Sequence, residues 1–378
     1  MDFSLNENQE MLKTSARDFL EKECPMNLVR EMMSDEKGYS SELWSKMAGL
    51  GWMGLPFPVK YGGEAGDFLD LTVLLEEMGR TCLPGPFFSS VVLGGLTLLQ
   101  AANEEQKEKF LPQVSKGCCI LTLALTESSA KYTADSIEVR ASPNRGIYEI
   151  DGTKLFVPDA HIADFIICAA KSVETIRSEE GITLFIVEGK SPGITCNLLR
   201  TMAGDNQCEV IFNKVCVPEE NIVGGLNQGW PYIEQMLQKA VVAKCAEMVG
   251  GAQKVLELVV DYAKERVQFE RPIGSFQAIQ HYCADMAIDI EGCRWITYQA
   301  AWMLKEGLSC AKEVAMAKAW VSQAYPRVTT QAIQCFGAIA TTEDHDMGLY
   351  FKRAKASESV LGNEDFHLET VAREAGFA

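Results

Sequence analysis

The stretch Ala240–Gln280, AVVAKCAEMVGGAQKVLELVVDYAKERVQFERPIGSFQAIQ, decides the fold. Its apolar residues fall at Val241, Cys245, Met248, Ala252, Val255, Val259 and Tyr262. These steps of four and three describe a helix that buries one continuous face. Gly250 and Gly251 lie inside that helix, where each costs about 1 kcal/mol relative to alanine. Glu247 precedes them by three and four residues. Helical side chains lean toward the N-terminus, so residues at i+3 and i+4 normally cover residue i. Two glycines there leave the Glu247 carboxylate beside a notch, open to another backbone or to a ligand. The helix ends through Arg266-Val267-Gln268-Phe269-Glu270-Arg271, with Pro272 and Gly274 as stops, and a new periodicity begins near Phe276.

Working outward, 378 residues suffice for two or three domains, and 47% hydrophobic residues supply an ample core. A net charge of −17 argues against binding nucleic acid or an anionic membrane through general electrostatics. No apolar run is long enough to span a bilayer. The start, MDFSLNENQE, resembles neither a secretory signal nor an Arg-rich transit peptide, so a cytoplasmic location is expected. The 13 cysteines are odd in number, scattered and without a C-x-x-C spacing, which reads as buried reduced thiols. With 4 histidines, no metal site is expected.

From residue 1 to 117 the pattern is helical. Leu5–Leu20 is amphipathic, Ser41-Glu42-Leu43-Trp44 opens another helix, and Leu69–Met78 forms one that ends in Gly79. Beyond Leu83-Pro84-Gly85-Pro86 come an apolar helix, Val91–Leu99, and a short charged one, Glu104–Leu111. Residues 118–229 change texture. Strand-like runs cover Cys119–Leu125, Ile137–Ala141, Ile147–Ile150, Lys154–Val157, Phe165–Ala169, Ile182–Val187 and Val210–Phe212, separated by Asn-Arg-Gly, Asp-Gly and Ser-Pro-Gly turns. Residues 230–378 return to long helices. The expected fold class is α+β: an N-terminal helical domain (1–117), a β-barrel or sandwich domain (118–229) and a C-terminal four-helix bundle (230–378).

Three segments carry a family resemblance: Tyr262–Ala287 (YAKERVQFERPIGSFQAIQHYCADMA), Gln334–Lys355 (QCFGAIATTEDHDMGLYFKRAK) and Leu121–Ser128 (LTLALTES). Together they resemble the acyl-CoA dehydrogenase family, nearly end to end and in the family's order. The resemblance implies FAD-dependent oxidation of a CoA thioester to its α,β-unsaturated form. A carboxylate takes the α-proton, flavin N5 takes the β-hydride, and donors hold the enolate-like oxygen. Aligning Lys352-Arg353-Ala354-Lys355 with the family motif puts Leu361, followed by Gly362, where the usual base stands. Glu247 resembles instead the base of the steroid-side-chain type, which works as a heteromer of two related subunits. An ion pair from Glu247 to Lys244 is the other reading of that carboxylate; Glu364 and Asp365, just after Gly362, are weaker candidates for the base and read rather as a polar loop.

For FAD, the resemblance assigns Arg266, Gln268 and Phe269 to the adenosine-pyrophosphate end across a subunit interface. Gln334 and Gly337 belong to a second phosphate-approach motif. Leu125 and Thr126, with Phe156 and Val157, match segments that line the isoalloxazine ring. Several positions depart from the family: Ala338 and Ala340 replace glycines, Glu270 replaces a glycine, Pro158 replaces a flavin-bonding threonine and Ser128 replaces a proline. The implied partners are an acyl-CoA substrate, an electron-transfer flavoprotein, and further subunits as a homodimer, homotetramer or heteromer. A bulky, branched, cyclic or dicarboxylic acyl group is expected. Two rival readings stand: a subunit that completes a partner's site, and a flavin enzyme working toward saturation or at remote ring carbons.

Overall fold

The computed structural model describes residues 5–377. The helices are α1 (Glu7–Glu23), α2 (Met26–Met32), α3 (Ser41–Gly49), α4 (Phe68–Arg80), α5 (Leu96–Ala101) and α6 (Glu104–Ser115), then α7 (Gly229–Glu265), α8 (Gln277–Lys305), α9 (Ala311–Phe336), α10 (Met347–Ser357) and α11 (Glu364–Glu374). The strands are β1 (Leu121–Ala124), β2 (Arg140–Asn144), β3 (Ile147–Pro158), β4 (Phe165–Lys171), β5 (Ile182–Glu188), β6 (Ile194–Leu199), β7 (Gln207–Pro218) and β8 (Ile222–Val223), with β9 (Val267–Gln268) and β10 (Arg271–Pro272) as a separate hairpin. Helices, a sheet and helices again follow one another as expected. No helix among the described residues is long and apolar enough to cross a membrane.

The chain divides into two compact units, one of residues 31–67 and 84–240, the other of residues 5–30, 68–83 and 241–377. In the first unit, eight strands form one mixed sheet in the order β6-β7-β3-β2-β4-β5-β8, with β1 parallel to β4. Ile166 to Ala170 of β4 are fully buried, flanked by β1 and β5. A strand covered on both faces reads as a continuous apolar run, which is why this one was plain in the sequence. Asp151-Gly152 is not a turn. Ile147–Ile150 and Lys154–Val157 belong to one strand, β3, and the register against β7 shifts at Gly152 and again between Lys154 and Val157. Gly152 has φ +135, and a Cβ there would sit 2.9 Å from the Val139 side chain, so its glycine serves a bulge and a close contact.

β6 and β8 were not expected. β6 is an edge strand whose residues alternate between half-buried and exposed, and its Cys and Asn carry little strand signal. In the helical segments, α2 is additional, and α6 runs on through Pro112 to Ser115. The apolar run expected as a helix over Val91–Leu99 is π-helical from Phe88 to Gly95, closing with Leu96 N–H on the Val91 carbonyl, before α5 begins.

The second unit is organised around the crossing of α4 and α7. Gly79 does not end α4, which continues to Arg80. A Cβ at Gly79 would lie 2.0 Å from the Glu247 carbonyl oxygen and 2.6 Å from its Cα. In turn, a Cβ at Gly250 would lie 1.8 Å from the Glu76 carbonyl oxygen, and one at Gly251 would lie 2.3 Å from the Tyr325 hydroxyl. Backbone therefore rests on backbone, and the notch beside Glu247 is filled by α4 and Tyr325. Ion pairs fasten the crossing. Arg17 makes two bonds to Glu77, at 3.0 and 2.8 Å, and Arg80 makes two to Glu257, at 2.8 and 2.7 Å. Glu76 accepts from Arg294 Nε at 3.2 Å and from the Tyr298 hydroxyl at 2.9 Å. Glu76, Glu77 and Arg80 are all nearly inaccessible, so removing one partner strands a buried charge, at a cost of about 3–5 kcal/mol.

All thirteen cysteines are free thiols, and burial pushes those of Cys24, Cys168 and Cys245 up to about 12. His367 of α11 is buried, with Nε2 2.9 Å from the Leu361 carbonyl. A carbonyl only accepts, so that nitrogen carries the proton. Burial, with a smaller push from Lys318, brings the imidazole pKa from 6.5 down to about 4.

Two predictions follow from this packing. Gly79→Ala should destabilise by about 1–3 kcal/mol in urea unfolding, because the overlap with Glu247 outweighs alanine's helix preference. His367 takes up its proton near 6.5 when unfolded but near 4 when folded. The unfolded state thus binds more protons in between, and stability falls as pH drops through that window, by up to about 3 kcal/mol. His367→Asn, which keeps an N–H for Leu361, should flatten this part of a melting-temperature profile.

Candidate functional site

In the sheet unit, the structure joins the two segments expected to line a flavin ring. Leu155 N–H donates to the Thr126 carbonyl at 2.9 Å, and Thr126 Oγ1 donates to the Leu155 carbonyl at 2.6 Å. The bulge between Lys154 and Val157 places Phe156 at φ +56 with its side chain 49% exposed, while Leu125 and Val157 are buried. A left-handed conformation costs a non-glycine residue about 1 kcal/mol or more, and it is held by what lies beneath. Lys154 is fully buried. Its Nζ donates to the Leu125 carbonyl at 3.0 Å and to Glu127 Oε1 at 2.6 Å, and Glu127 also accepts from the amides of Glu138 and Val139 at 2.9 and 3.1 Å. The sequence did not single out this pair; its signals are a lysine just before the apolar run Leu155-Phe156-Val157 and a glutamate just after the strand-like run that ends at Leu125. Pro158 offers no N–H, and its carbonyl accepts from Thr122 Oγ1 at 2.5 Å.

In the helical unit, α7 gives way to the β9–β10 hairpin, with Arg271 opposite Gln268 and Pro272 opposite Val267. Its two central residues, Phe269 (φ +51) and Glu270 (φ +64), are both left-handed, as a tight two-residue hairpin demands. A glycine suits the second position, which accounts for the residue Glu270 replaces. Arg266, Gln268 and Phe269 are all exposed, Phe269 at 86%. Arg271 stacks over the Phe276 ring at 4.1 Å. The end of α9 lies against α7 through Phe336, whose ring is 4.6 Å from that of Tyr262. Gln334 and Gly337 thereby share one end of the unit with the hairpin, and both are exposed. Gly337 has φ +73, with nothing within 4 Å of a Cβ built on it. Ala338 and Ala340 do not have positive φ, so their side chains add no backbone strain.

These residues fit FAD chemically. An exposed guanidinium and amide beside an open glycine backbone suit a pyrophosphate, and an exposed aromatic face on a rigid bulge suits a flat ring. Glu270 opposes the fit, because its carboxylate stands in the hairpin that would meet the phosphates.

Glu247 is half-buried, with its side chain 25% exposed and ion-paired to Lys244 on the same helix. The carboxylate is therefore less dry than burial against apolar walls alone would make it. Its charge acts on Cys82 of the α4 end and on Tyr325 of α9. Leu361, in the turn after α10, is left-handed (φ +62) and 7% exposed, so an apolar side chain and no carboxylate stands at that position. Glu364 and Asp365 lie in the first turn of α11, capped by Asn363, and Glu364 accepts from Gln323.

Replacing Glu270 by glycine relieves the strain of the positive φ and removes a carboxylate from the hairpin. Glu270→Gly should tighten FAD binding by about 2- to 10-fold, read from quenching of FAD fluorescence.

Three family models cover the chain: the acyl-CoA dehydrogenase N-terminal domain matches residues 6–118, the middle domain 122–215 and the C-terminal domain 227–376. An acyl-CoA dehydrogenase of Bacillus subtilis is 32% identical over 96% of both chains. Butyryl-CoA dehydrogenase from Megasphaera elsdenii superposes with a TM-score of 0.92 at 30% identity, covering 99% of this chain and 100% of the other. A chain of the ChsE4–ChsE5 complex from Mycobacterium tuberculosis gives a TM-score of 0.91 at 27% identity over 100% of both. With all three domains matched in order, the chain belongs to the acyl-CoA dehydrogenase family of FAD-dependent oxidoreductases.

Proposed function

We propose that the chain desaturates an acyl-CoA thioester between Cα and Cβ with Glu247 as the base. The observation that carries this reading is the pairing of an apolar Leu361 in the α10–α11 turn with a carboxylate on α7 whose backbone is pinned by Gly79. A base acting on a weakly acidic α-proton works only when held in place, and a helix locked by backbone contact holds it better than a turn. When bound, FAD supplies the acceptor for the β-hydride. Arg266, Gln268 and Phe269, with Gln334 and Gly337, hold its phosphate end. Leu125, Thr126, Phe156 and Val157 support its ring.

In this reading the ion pair with Lys244 orients the Glu247 carboxylate, which takes the α-proton of the bound thioester. Leucine in place of the carboxylate in the α10–α11 turn favours a bulky, branched, cyclic or dicarboxylic acyl group over a straight chain. Electrons leave to an electron-transfer flavoprotein. The exposed hairpin suits a site shared between subunits, in a homodimer, homotetramer or heteromer.

A second reading has two observations in its favour. Glu270 and Pro158 both weaken contacts to the cofactor, and similarity extends to a chain from a two-component complex. In that reading the chain completes the site of a related subunit. Purified protein that is yellow with stoichiometric FAD supports the enzyme; colourless protein that turns over only with a partner supports the subunit.

The base assignment is tested with Glu247→Gln, assayed on a panel of CoA esters with an artificial electron acceptor. Turnover should fall by about 10²- to 10⁴-fold with FAD content unchanged. Turnover near that of the unsubstituted protein would remove Glu247 from the mechanism.

A further inference from the structure

Lys318 of α9 is fully buried and has no carboxylate among its hydrogen-bond partners. Its Nζ lies 2.8 Å from Ser322 Oγ, 3.1 Å from the carbonyls of Ser357 and Glu358, and 3.0 Å from the Gly362 carbonyl. Ser357 and Glu358 close α10, where the last carbonyls have no helical partner. An ammonium offers three N–H donors and a neutral amine two, so only the charged form serves all three carbonyls. Burial pushes the Lys318 pKa down to about 8, so at neutral pH the charge is kept.

The same turn is gripped from the other side. His367 holds the Leu361 carbonyl at 2.9 Å. Leu361 and Gly362 are both left-handed, and a Cβ on Gly362 would lie 2.5 Å from the Phe366 ring and 2.9 Å from His367 Nε2. Four of the six carbonyls in residues 357–362 are thus held by two buried side chains from α9 and α11. Lys244 of α7 and Glu358 lie close enough for their charges to act on Lys318, in opposite directions, and the neutral Cys245 thiol of α7 is near them. Glu247 follows Cys245 and Lys244 on that helix by two and three residues.

We propose that Lys318 is a positioning residue: its buried ammonium fixes turn 357–362 so that Leu361 forms a rigid apolar wall for the acyl group. This rests on the acyl-CoA reading above. The turn lies where most of the family mounts a catalytic carboxylate, and here the same rigidity serves shape selection. A wall that cannot yield discriminates between acyl groups, because one methylene in a fixed pocket changes kcat/KM by about 10- to 200-fold.

The test compares Lys318→Met and Leu361→Ala in the full-length FAD-loaded protein. Hydrogen exchange of residues 357–362 is measured alongside steady-state kinetics with butyryl-CoA and cyclohexanecarboxyl-CoA. In Lys318→Met, exchange in the turn should quicken by at least about tenfold, and KM for both esters should rise by about fivefold with kcat held within about twofold. Leu361→Ala should leave exchange unchanged and shift the ratio of kcat/KM between the esters by about tenfold. Unchanged exchange or unchanged KM in Lys318→Met overturns the proposal. Should Lys318→Met fail to fold, the other two measurements decide. Fast exchange of 357–362 in the unsubstituted protein, or an unaltered ester ratio in Leu361→Ala, overturns it equally. Hydrogen exchange reads the turn without turnover, so loss of the Glu247 assignment would leave that result standing.

Discussion

The helical unit depends on two helices touching through their backbones. At the α4–α7 crossing, Gly79 meets Glu247 and Gly250 meets Glu76, each at a separation that no Cβ tolerates. Such closeness gives up side-chain packing and helix propensity, so the crossing is held by what surrounds it. The ion pairs of Arg17, Glu77, Arg80 and Glu257, with Arg294 and Tyr298 on Glu76, supply that hold. Glycines and charges thus act together: the glycines set the distance, and the charges fix the angle and register.

The sheet unit follows a related logic. Phe156 stands outward on a strained bulge because Lys154 and Glu127, both buried, tie the strand beneath it to the Leu125–Glu127 segment. In both units the close contact rests on buried, hydrogen-bonded charges. Such pairs add little to net stability, but they leave the chain few alternative packings.

Periodicity made the long helices legible, and apolar runs did the same for β4 and β5. The hairpin after α7 was visible as a stop signal. The notch beside Glu247 was also legible, but not its occupant, since periodicity within one helix says nothing about which distant backbone fills a gap. Gly79 read as a helix end because a glycine near a turn looks the same as a glycine at a crossing. Asp151-Gly152 read as a turn because a bulge uses the same residues. The roles of Lys154 and Lys318 were hidden for a simpler reason. Their partners are mostly carbonyl groups, which every residue possesses and no sequence pattern marks. The family resemblance singled out Arg266, Gln268, Gln334 and Gly337 as candidates for the cofactor; only coordinates showed that they gather at one end of the helical unit.

The helical unit is discontinuous along the chain: α1 and α4 are made early, and the rest of the unit follows only after residue 240. The Arg80–Glu257 contact joins residues 177 apart. During synthesis α4 therefore emerges as an apolar helix carrying Glu76, Glu77 and Arg80, and its face for α7 and α8 waits while residues 84–240 are translated. Contacts this distant form late and slowly, because a long loop must close before they gain anything. The nascent chain exposes that helix for the whole interval, a natural point for chaperone capture and for the loss of destabilised variants.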